Sequence, residues 1–527
     1  MHENYNLACA FYRRCLETPH APAIICERRS LTYRELADRA VRIANCLSSA
    51  QGWHRTAAQP PRVGILATRG VDACVALLGA CWAGATYVPL GLRQPRERLV
   101  TLLAQCELSA LIIDDEGAKS LGERVLEASP SLVIHAGQAP IGLAGAGGRW
   151  VSLATLPSAT LEEPAAMEAS APAYIIFTSG TTGLPKGVII SVGAARHYLR
   201  MIVDRLGLRA SDRVLETCEL SFDFSVHNVF STWEAGAALH VLPSNLVMNA
   251  VKFARNARLT VWNSVPSLAG MLRQTKALAP DSLSTLRVTV FGGEQLPLGI
   301  VTAWRSAAPN SVIVNLYGPT EATVFCLAQT VGTPVPLTPG RDIVAIGTPL
   351  PGSEACVVDE NGRPLGDNAP GELMIAGLQL AEGYLGGPDL TAIRFPTMDG
   401  KRWYRTGDLA LRDGTGCFHC LGRVDNQIKI LGYRVELEEI DAHLRLVSGA
   451  DAVASVGWPL SNGVAQSVIS FVGASTVDAA RVIDALRTRI PPYMVPSRVI
   501  ALEKMPLNSS GKVDRSALRR LLERLTS

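Results

Sequence analysis

"FTSGTTGLPKG", residues 177–187, combines glycines, a run of small or hydroxylated residues from Thr178 to Thr182, and one lysine. Phosphate-binding loops use these ingredients. A P-loop, however, requires G-x-x-x-x-G-K-[ST], with lysine directly after glycine and a hydroxyl directly after the lysine. Here Lys186 follows Pro185 and precedes Gly187. The flanks differ too, because "AYIIF" (173–177) and "VII" (188–190) predict buried strands. A P-loop feeds a helix whose N-terminal amides hold the anion. This loop joins strand to strand and is not a P-loop.

Working outward, residues 1–135 alternate helical runs ("LTYRELADRAVRIANCLSS", "RERLVTLLAQC") with strand-like runs ("RVGILA", "SALIID"). That alternation predicts a mainly parallel α/β sheet. Residues 136–172 are rich in Gly, Ala and Pro and read as irregular surface chain. Beyond the loop the α/β pattern resumes to about residue 340, and 341–424 carry short strands and turns that predict a β-rich, barrel-like lobe. From 425 a compact α+β pattern follows: "VELEEIDAHLRLV", "SVISFVG", "DAARVIDALRTRI". The expected fold is therefore α/β: a large domain over 1–424 and a small α+β domain over 425–527.

A formal charge of +3 over 527 residues gives no indication of a nucleic-acid or anionic-membrane partner. The charge-free run "ACVALLGACWAGATYVPLGL" (73–92) is long enough to span a bilayer. Its glycines and Pro89 instead predict a buried helix running into a buried strand. An early acidic residue and an Arg pair argue against a signal peptide. The twelve cysteines sit mostly in apolar runs, as reduced thiols of a cytoplasmic protein would. "CFHC" (417–420) has the spacing of half a zinc site. With no second C-x-x-C or paired histidines it reads as chance spacing on a strand.

Glycine-bearing turns after strands are where open α/β sheets place ligands. Four such stretches stand beside the loop: "NLYGPTEAT" (315–323), "YRTGDL" (404–409), "GRVDNQIKILGYRVELEE" (422–439) and "NSSGKVDR" (508–515). Singly, each also reads as a turn, a cap or a solvated charge. Together with "LTYREL" (31–36), "LLGACWAGATYVPL" (77–90), "FDFSV" (222–226), "GELMIAGLQLAEGYL" (371–385) and "PPYMVP" (491–496), they run in one order over nearly the whole chain. The chain resembles the adenylate-forming superfamily, most closely the amino-acid adenylation domains of non-ribosomal peptide synthetases.

That resemblance implies ATP and Mg²⁺ as cofactors and two half-reactions. A carboxylate attacks the α-phosphate of ATP to give an acyl-adenylate and pyrophosphate, and a phosphopantetheine thiol then displaces AMP. Such chemistry needs mainly positioning and charge neutralisation. By resemblance, Lys512 bridges the carboxylate and the α-phosphate, and Lys429 serves thioester formation. Glu321 ligates Mg²⁺ and Thr320 bonds the α-phosphate. Tyr317, beside Gly318, stacks on adenine, and Asn315 pairs with its amino group. Asp408 accepts from the ribose, with Arg423 beside it. Thr178, Ser179, Gly180, Thr181, Thr182, Gly183 and Lys186 wrap the outer phosphates, and Asp425 is the hinge. Taken alone, Lys429 would be a solvated strand residue and Asp425 a turn aspartate. Cys420 departs from the pattern, which has an aromatic or large apolar residue there.

The resemblance also implies a substrate pocket. Asp223 faces an α-ammonium, and Phe224, His227, Asn263, Val290, Gly292, Leu316, Val324 and Phe325 line the side-chain site. Read alone, Asp223 would cap the following helix. Gly292 is expected to leave room, with His227 and Asn263 as polar points. Phe224, Asn263, Gly292 and Val324 resemble a threonine-selecting set, and His227 and Phe325 depart from it. Threonine or a similar small β-substituted amino acid is the expected substrate. The expected partner is a phosphopantetheinylated carrier protein in trans, because only twelve residues follow Arg515. The enzyme is expected to be free-standing, monomeric and cytoplasmic. An acyl- or aryl-CoA ligase on the same fold, or a catalytically dead nucleotide-binding regulator, are the alternatives.

Overall fold

The computed structural model describes residues 4–54, 56, 59–136, 148–180, 184–430, 432–461, 464–507 and 513–526. It divides into two compact units. One comprises residues 1–92, 103–176 and 187–421; the other comprises 93–102, 177–186 and 422–527.

In the first unit, nine strands form one sheet in the order Thr348–Pro349, Leu327–Thr330, Val312–Tyr317, Val288–Gly292, Val261–Ser264, Arg213–Glu216, Ala238–Val241, Pro22–Cys26, Arg29–Thr32. Its central pairs are parallel, so both faces must be covered. The helix Phe224–Glu234, ten of whose eleven residues are buried, is one of the covering elements. Trp262 and Trp304, in a hydrophobic cluster separate from that helix, meet edge-on at 4.9 Å. Each indole N–H is satisfied, by Ser264 Oγ and Thr289 Oγ1, both at 2.8 Å.

A second, eight-stranded sheet includes the strands Thr86–Pro89, Pro172–Thr178 and Lys186–Ser191. The last two are hydrogen-bonded neighbours, as the strand-to-strand reading of the loop requires. The charge-free run becomes the helix Val71–Trp82 and the buried strand Thr86–Pro89. Among the described residues no helix is long and apolar enough to cross a membrane. One element departs from the sequence reading. The strand Arg149–Ser152 extends the sheet edge inside the stretch read as irregular, pairing in parallel with Leu132–His135. The β-rich lobe is a five-stranded sheet built on Ser353–Val358, Gly371–Gly377 and Lys401–Arg412. The hairpin partner of its long strand is Phe418–Arg423.

The second unit holds its own five-stranded sheet, including Ile428–Ile430, Tyr433–Val435 and Val464–Gly473. Its helices include Leu437–Ser448 and Ala479–Arg487, whose apolar faces share a core of Ile440, Leu444, Val482 and Leu486.

Candidate active site

The first unit gathers most of the substrate-pocket candidates through strand register. Asn263 pairs with Val290, and Gly292 pairs with Leu316. Side chains alternate along a strand, so Val290 and Gly292 share a face, and their partners share it too. These positions lie at the C-terminal ends of parallel strands, where α/β sheets place ligands. The helix Phe224–Glu234 brings Phe224 and His227 to Phe325. The three rings meet edge-on, with centroids 5.0 Å (Phe224–Phe325), 5.6 Å (Phe224–His227) and 5.7 Å (His227–Phe325) apart.

Gly292 does not leave open room, and this corrects the sequence reading. A Cβ there would stand 2.5 Å from Phe325 Cζ and 2.6 Å from Cε1. The Phe325 ring occupies the space that the glycine vacates, which shortens the pocket.

Phe325 is placed by an unusual turn. Thr323 and Val324 adopt φ of 52° and 68°, a left-handed conformation that β-branched residues avoid. Gln379 clamps it: its side-chain amide donates to Phe325 O at 2.8 Å and Thr323 O at 3.3 Å, and its main-chain carbonyl accepts from Thr323 Oγ1 at 2.6 Å. Gly318 allows the same approach, since a Cβ there would lie 2.4 Å from Val324 O. The sequence reading did not single out Gln379. A lone amide in the apolar run "ELMIAGLQLAEGYL" was the available signal.

Polar groups in the pocket are buried. Tyr198 and His227 share a 2.6 Å hydrogen bond at Nδ1, and burial pushes the imidazole down to about 3, so it is neutral. A phenol is a stronger acid than a neutral imidazole, so Tyr198 donates and the ring proton sits on Nε2. That Nε2 has no partner among the described residues, and neither does Asn263 Oδ1. Asp223 stands at the start of the helix but makes no side-chain capping bond, which removes the capping explanation for it. Tyr87, Tyr174 and Tyr198 are kept protonated by burial and, in part, by the charge of Asp223.

The nucleotide candidates follow on the strand Val312–Tyr317. Asn315 donates to Ala345 O at 2.9 Å, while its buried Oδ1 has no partner among the described residues. An orphaned acceptor of this kind fits an exocyclic amino group such as adenine's. Tyr317 donates its hydroxyl to Asp408. Thr320 opens a short helical turn, and Glu321, fully buried, accepts from Tyr384 Oη at 2.9 Å. A buried carboxylate is the hard oxygen donor that Mg²⁺ prefers. Cys420, buried, accepts from Gln295 Nε2 at 3.6 Å.

In the second unit the opening loop is met by carboxylates. Gly180 N–H donates to Glu439 Oε2 at 3.1 Å, and Lys186 Nζ lies 3.4 Å from Glu436 Oε1. Ser179 Oγ donates to Arg434 O at 2.8 Å and accepts from Glu436 N–H at 3.2 Å. Glu439 also pairs with buried Arg98, and Glu436 accepts from Gln427 Nε2 at 2.6 Å. A Cβ on Gly180 would sit 1.9 Å from Leu184 O, so only glycine fits. Two of the loop's donors, the Gly180 amide and the Lys186 ammonium, are thus engaged by carboxylate oxygens, and the Ser179 hydroxyl by a main-chain carbonyl. Thr178 Oγ1 is buried with no partner among the described residues.

Arg423 grips Asp425 with a bidentate fork, at 2.7 Å (Nε–Oδ1) and 2.6 Å (Nη2–Oδ2). Burial opposes ionisation of Asp425, but the fork outweighs it and holds the carboxyl below its usual range. Lys429 lies mid-strand, in register with Arg434. Thr181, Thr182, Gly183 and Lys512 lie outside the described residues.

Comparison with known proteins places this architecture in a class. The chain belongs to the AMP-binding enzyme family, whose model matches residues 11–385. The solved structures it resembles include adenylation domains and a non-ribosomal peptide synthetase. Its relatives include the delta-poly-L-ornithine synthetase of Acinetobacter baumannii, 34% identical over 98% of this chain and 37% of that protein. Tyrocidine synthase 3 of Brevibacillus parabrevis is 32% identical over 96% of this chain and 7% of that protein. The chain thus spans well under half the length of these two relatives. Among solved structures, the Vibrio cholerae adenylation domain AlmE in complex with glycyl-adenosine-5'-phosphate superposes with a TM-score of 0.87. It is 29% identical, with 99% of each chain covered.

Proposed function

We propose that the protein activates a small amino acid as aminoacyl-AMP and passes it to the phosphopantetheine thiol of a separate carrier protein. The observation that carries the amino-acid reading is Asp223, a carboxylate at a helix start with no capping role, among buried tyrosines. An α-ammonium would bring that carboxylate an opposite charge, which an acid without an amine cannot offer. AlmE, whose structure holds glycyl-adenosine-5'-phosphate, supports a short substrate side chain.

The pocket supports a substrate that is short and polar. Phe325 closes the space beside Gly292, while His227 Nε2–H offers a donor and Asn263 Oδ1 an acceptor. A β-hydroxyl meets both demands, and threonine is the first candidate. Asn315 would accept from the adenine amino group, Tyr317 would stack on the ring, and Asp408 would accept from the ribose with Arg423 beside it. Thr320 would bond the α-phosphate. Glu321 would hold Mg²⁺, which supplies charge neutralisation on the phosphates. The loop from Thr178 to Lys186 would hold the leaving pyrophosphate. Lys512 would serve adenylation and Lys429 thioester formation, with Asp425 as the hinge between them.

A pyrophosphate-exchange panel over all amino acids and β-hydroxy variants tests the reading. Amine-dependent exchange that is strongest with threonine and needs no coenzyme A is expected. Exchange with carboxylates lacking an amine would point to a CoA ligase. Lys512→Ala should abolish exchange yet spare thioester formation from supplied aminoacyl-AMP, and equal loss of both would refute the division between the two lysines.

A further inference from the structure

The hairpin that closes the β-rich lobe carries a cluster that the adenylation chemistry does not use. Along an extended segment, residues two apart share a face and residues three apart do not. Cys417 and Cys420 therefore point to opposite sides, and "CFHC" is not a ligand pair. Cys417 and His419 do share a side, and Asp413, across the tight turn, faces them. One ligand atom from each of the three lies within 4.8 Å of the other two.

The turn leaves one carboxylate oxygen directed at the cluster. Asp413 Oδ1 accepts from Thr415 N–H (2.9 Å), Thr415 Oγ1 (2.7 Å) and Cys417 N–H (3.0 Å). Oδ2 instead meets His419 Nε2 at 3.0 Å. The Cys417 thiol donates to Gln329 Oε1 at 3.4 Å. Tetrahedral coordination at about 2.0–2.3 Å puts neighbouring ligand atoms about 3.3–3.8 Å apart. The His–Asp and Cys–Gln separations need change by only a few tenths of an ångström to match it. In both contacts a proton sits where a cation would replace it.

We propose that Asp413, Cys417 and His419 form a metal site for a borderline divalent cation of the zinc type, with the Gln329 amide oxygen as fourth ligand. One sulfur, one nitrogen and two oxygens suit zinc better than magnesium or calcium. Binding releases the Cys417 thiol proton to solvent, and His419 binds through Nε2 as a neutral imidazole carrying its proton on Nδ1, with no redox change. His419 is buried while Asp413 and Cys417 are partly exposed, so the cation has an entry path. The bound ion would tie the hairpin to the strand Leu327–Thr330, which carries Gln329.

The test uses the full chain, stripped with a chelator and titrated with Co²⁺ as a spectroscopic probe. A thiolate-to-cobalt charge-transfer band with tetrahedral d–d bands is expected, together with a zinc-dependent rise in the thermal midpoint. Cys417→Ser should abolish the charge-transfer band and His419→Gln should weaken binding at least tenfold. Cys420→Ser, on the opposite face, should leave the spectrum intact. Absence of the band in the native chain overturns the proposal. So does a band that survives Cys417→Ser, which would mark adventitious binding at another cysteine. If His419→Gln does not fold, the Cys417→Ser and Cys420→Ser pair still decides the matter.

Discussion

Replacing Gly292 by alanine puts a methyl group where the Phe325 ring already stands. The new carbon would lie 2.5 and 2.6 Å from two ring atoms and 3.3 Å from Leu316 O. Carbon atoms in contact need about 3.5–4.0 Å, so the ring must withdraw by roughly 1 Å. It cannot withdraw easily, because Phe224 and His227 press on it edge-on and Gln379 fixes its backbone. Overpacking of this kind costs about 1–3 kcal/mol. Chemical denaturation should show that loss, and pyrophosphate exchange should show threonine activation falling before glycine or alanine activation. Phe325→Ala should have the opposite effect on substrate range, admitting longer side chains. Combined with Gly292→Ala, it should make the alanine nearly harmless, so the two changes should not add. An alanine variant with native stability and native substrate order would refute the claim that Phe325 fills this space.

Three further outcomes follow from buried groups. Tyr198→Phe removes the donor that fixes the His227 proton on Nε2. Discrimination between threonine and valine should fall about 5- to 150-fold, equivalent to about 1–3 kcal/mol, and a ratio unchanged in exchange kinetics would refute the tautomer argument. Burial pushes Glu216 up to about 8 from an ordinary 4.5. The folded chain therefore keeps a proton that the unfolded chain has lost across that window. Its stabilising share is complete below the ordinary value and disappears as pH rises through about 8. Glu216→Gln should flatten the denaturation midpoint between about pH 5 and about pH 8, and equal pH slopes in both proteins would count against it. Glu439→Gln leaves buried Arg98 without its counter-charge. A loss of about 3–5 kcal/mol is expected in denaturation, and a change under about 1 kcal/mol would show that the pair is not sealed from water.

The strand–loop–strand element was legible because β-branched runs flank residues 177–187 and no helical period intrudes. The helix-to-strand passage over 71–89 was legible because glycines and a proline interrupt a charge-free run. What escaped depended on contacts between residues distant in sequence. The Phe325 ring reaches Gly292 only through the strained Thr323–Val324 turn, and no local pattern encodes that approach. Glu436 and Glu439 look like ordinary acidic residues at the start of a helix. The structure instead sets them against Lys186 and the Gly180 amide. The edge strand Arg149–Ser152 has no buried face to impose alternation, so its composition resembled loop. In "CFHC" the spacing drew attention to the wrong pair, and strand geometry selects Cys417 with His419.

The grouping of residues 93–102 and 177–186 with 422–527 has a consequence for exchanging parts between related enzymes. A graft cut at residue 421 would separate Glu439 from Arg98 and from the Gly180 amide, and Glu436 from Lys186. The recipient would keep two cations whose counter-charges had gone with the donor piece. Unless the incoming segment carried carboxylates at the same two positions, the hybrid would fold with buried positive charge. A viable transplant should therefore move three discontinuous segments together, or match their charges one for one.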